Sequence, residues 1–175
     1  MKESINGTNR VEMTFQNFPE NERIGRTLAA AFAAVLNPTM EELSDFKTAV
    51  SEAVTNAIIH AYPESRGDIV MVMERVENTV TVHIRDFGVG IEDVEKSMEP
   101  LYTTLKNGER SGMGFTFMEA FTDHVEVESE PGKGTSVSLT KKMGGEKWNI
   151  PVNCSDRQKK EIWKHVPGWW KKMSG

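Results

Sequence analysis

The chain has 175 residues, 38% of them hydrophobic and 27% charged, with a net charge of −5 and one cysteine, Cys154. That length supports one ordinary domain with a full core, and no apolar run approaches the ~20 residues that span a bilayer, so neither a membrane segment nor a membrane partner is expected. A lone cysteine excludes an internal disulfide and a zinc cluster, and no apolar stretch follows Met1, so the expected setting is reducing and cytoplasmic.

The charge is unevenly placed. From Lys141 to Gly175 nine basic residues stand against three acidic ones, so the preceding 140 residues carry −11 of the total. An acidic body without a helix-turn-helix or RNA-binding signature gives no reason to expect direct contact with nucleic acid.

In chain order, Val11, Met13 and Phe15 alternate with Glu12, Thr14 and Gln16 and predict an opening half-buried strand. Pro19 introduces a helix over residues 20–36 in which Ile24, Leu28, Ala31, Phe32 and Val35 form the expected core face. Asn37-Pro38 breaks it, and Thr39 with Glu42 makes a capping box for a second helix ending near Tyr62-Pro63. Leu43, Phe46, Val50, Ala53 and Ala57 supply its apolar face.

Glu52 and Asn56 lie one turn apart on that second helix, about 40° from each other round its axis, so both emerge beside the core face. A carboxylate and a carboxamide held so on a rigid element have the geometry of a general base next to a metal ligand. Taken alone, such a pair is also ordinary helix surface.

Two alternating segments on either side of Glu77-Asn78 predict a β-hairpin, the second strand ending in Asp86-Phe87-Gly88-Val89-Gly90. Residues 92–110 show a possible short helix before Pro100 and no sustained period, the mark of a long functional loop. Gly112-x-Gly114 then opens an apolar helix to Phe121, and Val125, Val127, Val137 and Leu139 flank Pro131-Gly132-Lys133-Gly134 as a second hairpin. This order predicts an α/β fold, a two-layer α/β sandwich with helices on one face of a mostly antiparallel sheet.

The glycines of the two turns let backbone approach a ligand, and the amides that open the Phe115 helix are suited to phosphate oxygens. Asp86, acceptor-only when ionised, suits an exocyclic amine such as that of adenine.

Glu-x-x-x-Asn, Asp-x-Gly-x-Gly, a long loop, Gly-x-Gly and a Gly-Thr entering a strand together resemble the GHKL ATPase superfamily, whose Bergerat fold binds nucleotide. Ser51–His60, Arg85–Ile91 and Glu109–Thr116 are similar, within it, to the anti-sigma F factor family of endospore-forming bacteria, over roughly residues 10–142. The resemblance implies an ATP-dependent serine kinase, binding ATP or ADP with Mg²⁺, that sequesters a sporulation sigma factor and phosphorylates an anti-anti-sigma factor, as a homodimer. It implies Glu52 as general base and Asn56 as Mg²⁺ ligand. Asp86 would hold the adenine amine with Thr135 helping through water, and Gly88 and Gly90 would shape the pocket floor. Residues 92–111 would be a lid, with Arg110 reaching the γ-phosphate and Gly112 and Gly114 turning amides to the phosphates. Arg26, on the first helix, would contact both protein partners.

The departure from the family is residues 143–175, a basic extension with Trp163, Trp169 and Trp170. It reads equally as a docking segment and as a tail folded back on an acidic body. The rivals to this assignment are a stress-response anti-sigma kinase of the sigma-B type, which differs only in partner, and a non-catalytic nucleotide-dependent binding module, against which the presence of Glu52, Asn56, Gly112 and Gly114 speaks.

Overall fold

The computed structural model describes residues 8–99 and 113–144. Five strands, β1 (Asn9–Gln16), β2 (Asp68–Val76), β3 (Thr79–Asp86), β4 (His124–Glu130) and β5 (Gly134–Lys142), form one sheet in the order β1-β2-β3-β5-β4. Every neighbouring pair is antiparallel, so the sheet is antiparallel throughout. Four helices accompany it among the described residues: α1 (Glu20–Ala34), α2 (Met40–His60), the short α3 (Val94–Met98) and α4 (Gly114–Phe121).

The period-two pattern of the strands decides which face is covered. Ile69, Met71 and Met73 of β2, Val80, Val82 and Ile84 of β3, and Val137 and Leu139 of β5 are buried, while their neighbours along each strand are more exposed. Against this face α2 lays Phe46, Ala49, Val50, Ala53, Val54, Ala57 and Ile58, and α4 adds Met118. Burying a large apolar side chain is worth about 1.5–3 kcal/mol, so this shared layer holds the helices on the sheet. No helix of the described residues is long and apolar enough to cross a membrane.

Local chemistry sets the element ends. Thr39 accepts the Glu42 N–H at 3.1 Å while Glu42 accepts the Thr39 N–H at 2.8 Å, the reciprocal capping box expected from the sequence. The β2–β3 turn places Glu77 at φ 52°, and the Asn78 carbonyl accepts the Met143 N–H at 2.7 Å, which anchors the end of β5.

The α1 face differs from the expected one. Gly25, Ala29, Phe32 and Ala33 are buried and Leu28 is half-buried, while Ala31 faces out and Ile24 and Val35 are 53% and 59% exposed. The large residues traced a stripe, but close approach to α2 selects small ones. A β-carbon on Gly25 would already lie 3.4 Å from Val54 Cγ2 and 3.6 Å from Met71 Sδ.

Candidate functional site

α2 runs along the helix-covered face of the sheet and acts as a ruler for the site. Its end is fixed by the Val89 N–H, which donates to the Ala61 carbonyl at 2.9 Å and so ties the loop after β3 to the helix C-terminus. Asn56 and Glu52 lie five and nine residues before Ala61. At ~1.5 Å per residue these are about 8 Å and 14 Å back along the axis. The loop, the carboxamide and the carboxylate therefore follow one another along one element, an order suited to an elongated ligand.

At the loop end sits Asp86, 5% exposed, the last residue of β3. Both hydrogen bonds to its side chain within the described residues fall on Oδ1, from Gly88 N–H at 3.0 Å and Thr135 N–H at 3.1 Å. Oδ2 remains as an acceptor. Burial raises the carboxyl pKa above its ordinary 3.8, and those two backbone bonds oppose the rise.

Two glycines make this corner possible. A β-carbon at Gly88 would meet the Ala61 carbonyl oxygen at 2.0 Å, and Gly90 sits at φ 71° with a β-carbon position 2.3 Å from the Glu130 carbonyl oxygen. Any other residue at either position would push the loop off α2 or off β4.

At the other end, the first turn of α4 comes down on Glu52 and Asn56. A β-carbon on Gly114 would lie 3.3 Å from Glu52 Oε2, 3.4 Å from Asn56 Nδ2 and 3.6 Å from Asn56 Oδ1. The glycine thus leaves open the space that both side chains face. The helix start has no side-chain cap and no acidic residue in its first turn, so its leading N–H groups are suited to an anion.

Among the described residues no group of three or more His, Cys, Asp or Glu could hold a metal ion. Mg²⁺ does not ask for one, since it keeps several waters and takes substrate phosphate oxygens with one or two protein ligands. The Asn56 carboxamide oxygen, beside the space Gly114 leaves, fits that role.

The structure thus gathers the expected site residues into two groups along α2: Glu52, Asn56 and Gly114 in one, Asp86, Gly88, Gly90 and Thr135 in the other. Arg110 and Gly112 lie outside the described residues, as does most of the expected lid and of the segment 143–175. Arg26 lies on α1, its Nε 3.1 Å from Glu22 Oε1. The same Glu22 oxygen accepts the Ser51 hydroxyl at 2.6 Å.

Two residues of the site escape a sequence reading. Tyr62 accepts the Phe87 N–H at 2.9 Å and donates to the Asp68 carbonyl at 2.6 Å, bracing the Asp86 loop against β2. Its ring leaves room at residue 67 only for glycine, since a β-carbon there would come within 2.1 Å of Tyr62 Cε1. Ser129 accepts the Ile91 N–H at 2.8 Å and so fixes the far side of the same loop. Neither carries a local motif; both act on residues distant in sequence.

A helix-backed antiparallel sheet with a buried acidic acceptor beside the end of α2 and an uncapped helix start against Glu52 and Asn56 is the frame of a nucleotide-binding ATPase domain. The histidine kinase-like ATPase domain family matches residues 15–141. Solved structures agree on the fold: the RsbU and RsbW domains of Rv1364c from Mycobacterium tuberculosis superpose with TM-score 0.58 at 19% identity, over 79% of this chain and 33% of that one. The catalytic domain of histidine kinase ThkA does so with TM-score 0.50 at 19% identity, over 76% and 96%.

Curated relatives narrow the class. Proteins named anti-sigma F factor are 53% identical over 140 residues in Thermoanaerobacter sp. (strain X514), covering 80% of this chain and 98% of the relative. In Clostridium acetobutylicum the figure is 52% over 136 residues, covering 77% and 94%, and in Pasteuria penetrans 54% over 137 residues, covering 77% and 91%. The chain therefore belongs to the histidine kinase-like ATPase domain family, in the branch of the anti-sigma F factors.

Proposed function

We propose that this chain is a cytoplasmic, homodimeric anti-sigma factor with ATP-dependent serine kinase activity. It holds a sporulation sigma factor inactive and yields it to an anti-anti-sigma factor, whose serine it phosphorylates. The observation that carries the reading is the convergence of Glu52, Asn56 and the uncapped start of α4 at Gly114, on the helix whose other end is tied to the buried Asp86 loop.

In this reading the base of ATP lies at Asp86, whose Oδ2 accepts the exocyclic amine while Oδ1 is held by Gly88 and Thr135. The phosphates run back along α2 toward the α4 N-terminus, where backbone N–H groups neutralise part of their charge. Asn56 would hold Mg²⁺, which when bound draws electron density from the phosphate oxygens. Glu52, one turn further back, accepts the proton of the attacking serine hydroxyl. Phosphoryl transfer asks a protein mainly for positioning, charge neutralisation and such a base.

Residues 10–142 would suffice for this chemistry, with Arg110 and Gly112 completing the γ-phosphate end and Arg26 meeting the protein partners on α1. Residues 143–175 would form a separate extension. Incubation with labelled ATP, Mg²⁺ and candidate anti-anti-sigma proteins tests the proposal: label should appear on a serine of one candidate. ATP binding without transfer to any of them would leave a nucleotide-dependent binding module instead.

A further inference from the structure

Ser129, near the end of β4, makes three short contacts through one oxygen. It accepts the Ile91 N–H at 2.8 Å, lies 3.0 Å from the Gly134 carbonyl oxygen and lies 2.9 Å from Thr135 Oγ1. A serine hydroxyl carries one hydrogen and two acceptor sites. The carbonyl can only accept, so the Ser129 hydrogen belongs to Gly134. Turned toward Thr135 instead, it would leave two acceptor oxygens facing each other at 3.0 Å with nothing between them. The Thr135 hydroxyl must then donate its own hydrogen to Ser129, which fills both of that oxygen's acceptor sites.

Thr135 is the residue whose N–H holds Asp86 Oδ1, and with its hydroxyl hydrogen committed it turns only lone pairs to any other neighbour. Asp86 is acceptor-only because it is ionised; Thr135 is acceptor-only because of Ser129. A free threonine hydroxyl would rotate and bond an amine or a carbonyl alike. A water shared by Asp86 and Thr135 would direct its own hydrogens to them and present lone pairs to the base, which preserves the same preference.

We propose that Ser129 is a positioning residue for base specificity: by locking the Thr135 hydroxyl as an acceptor it makes this end of the cleft select a 6-aminopurine nucleotide over a 6-oxopurine one. The assignment rests on the nucleotide reading given above and extends it to a side chain outside every motif of the site. It separates two effects of Ser129, since bracing Ile91 supports any nucleotide, whereas orienting Thr135 distinguishes one base from another.

The test is the ratio of affinities for ATP and inosine triphosphate, measured by titration calorimetry on the full chain. Inosine carries a carbonyl where adenine carries the amine. Ser129→Ala should lower the wild-type preference for ATP by about tenfold, the worth of one hydrogen bond matched or mismatched. Ser129→Thr, which keeps a hydroxyl on the same β-carbon, should restore it. In a Thr135→Val background Ser129→Ala should leave the ratio unchanged, because the hydroxyl it frees is gone. Equal weakening of both nucleotides by Ser129→Ala would overturn the inference and leave Ser129 a brace, as would a change in ratio that persists without Thr135. Absence of ATP binding by the wild-type chain would overturn the nucleotide reading itself.

Discussion

Gly114 stands so close to Glu52 that a β-carbon there would lie 3.3 Å from the Glu52 Oε2 atom, nearer than to either polar atom of Asn56. The absence of a side chain at the start of α4 is therefore what opens the space between that helix and the two polar groups of α2. Gly114→Ala should leave the melting temperature unchanged or raised, because alanine is a better helix residue by up to about 1 kcal/mol. Phosphoryl transfer should nevertheless fall about tenfold or more, since the methyl group displaces the side chains that must flank the phosphates. Equal activity in the two proteins at saturating ATP would show that the space is not used.

Asp86 is a charge kept buried at a cost. Its folded pKa is raised above the ordinary 3.8, chiefly by burial, so protonation favours the folded state. The sign follows: this group's contribution to stability is fully present below 3.8 and is lost as pH rises through the raised value, leaving the ionised carboxylate a net burden at neutral pH. Asp86→Asn should then bind ATP poorly without a fall in melting temperature at pH 7. Its carbonyl oxygen can keep the Gly88 and Thr135 bonds while its amide turns a donor toward the base amine. Nucleotide affinity of the wild type should also weaken on acidification before ordinary carboxylates titrate. Wild-type-like ATP affinity in the variant would remove Asp86 from base recognition.

Arg26 should matter to protein partners and not to nucleotide. Its Nε lies 3.1 Å from Glu22 Oε1 on α1, a helix that carries none of the nucleotide motifs, and the side chain keeps about a third of its surface exposed (34%). Arg26→Ala should cost ~2 kcal/mol in affinity for the sigma factor, the anti-anti-sigma factor or both, about thirtyfold. ATP affinity should not move. Unchanged partner titrations would return Arg26 to the solvated surface.

Deleting residues 146–175 should leave ATP affinity within the error of the measurement. Every residue assigned to nucleotide lies before position 136, and the family match ends at residue 141. Loss of ATP binding on deletion would contradict residues 10–142 as a self-sufficient kinase domain.

The sequence makes legible whatever local chemistry encodes. The capping box of Thr39 and Glu42, the turn at Glu77-Asn78 and the one-turn spacing of Glu52 and Asn56 are each decided by residues within a few positions, and each is found as expected. On α1 the large apolar residues are what a sequence shows, and of them Phe32 is buried and Leu28 half-buried but Ile24 and Val35 face out, whereas the small Gly25, Ala29 and Ala33 are buried, Gly25 against Val54 of α2. Tyr62 and Ser129 are illegible in the sequence for a different reason. Their partners, Phe87 and Ile91, are 25 and 38 residues away, and a tyrosine after a helix or a serine in a strand has no pattern that announces such a bond.

The central claim is that Glu52 is the base of a serine kinase, and the most direct measurement compares Glu52→Gln with the wild type in single-turnover transfer of labelled phosphate from ATP to the anti-anti-sigma serine. Glutamine keeps the shape of the side chain but cannot take a proton. The variant should bind Mg²⁺-ATP with near wild-type affinity and transfer phosphate ~10²- to 10⁴-fold more slowly. Transfer within threefold of the wild type at saturating ATP would contradict the assignment of Glu52 and the mechanism built on it.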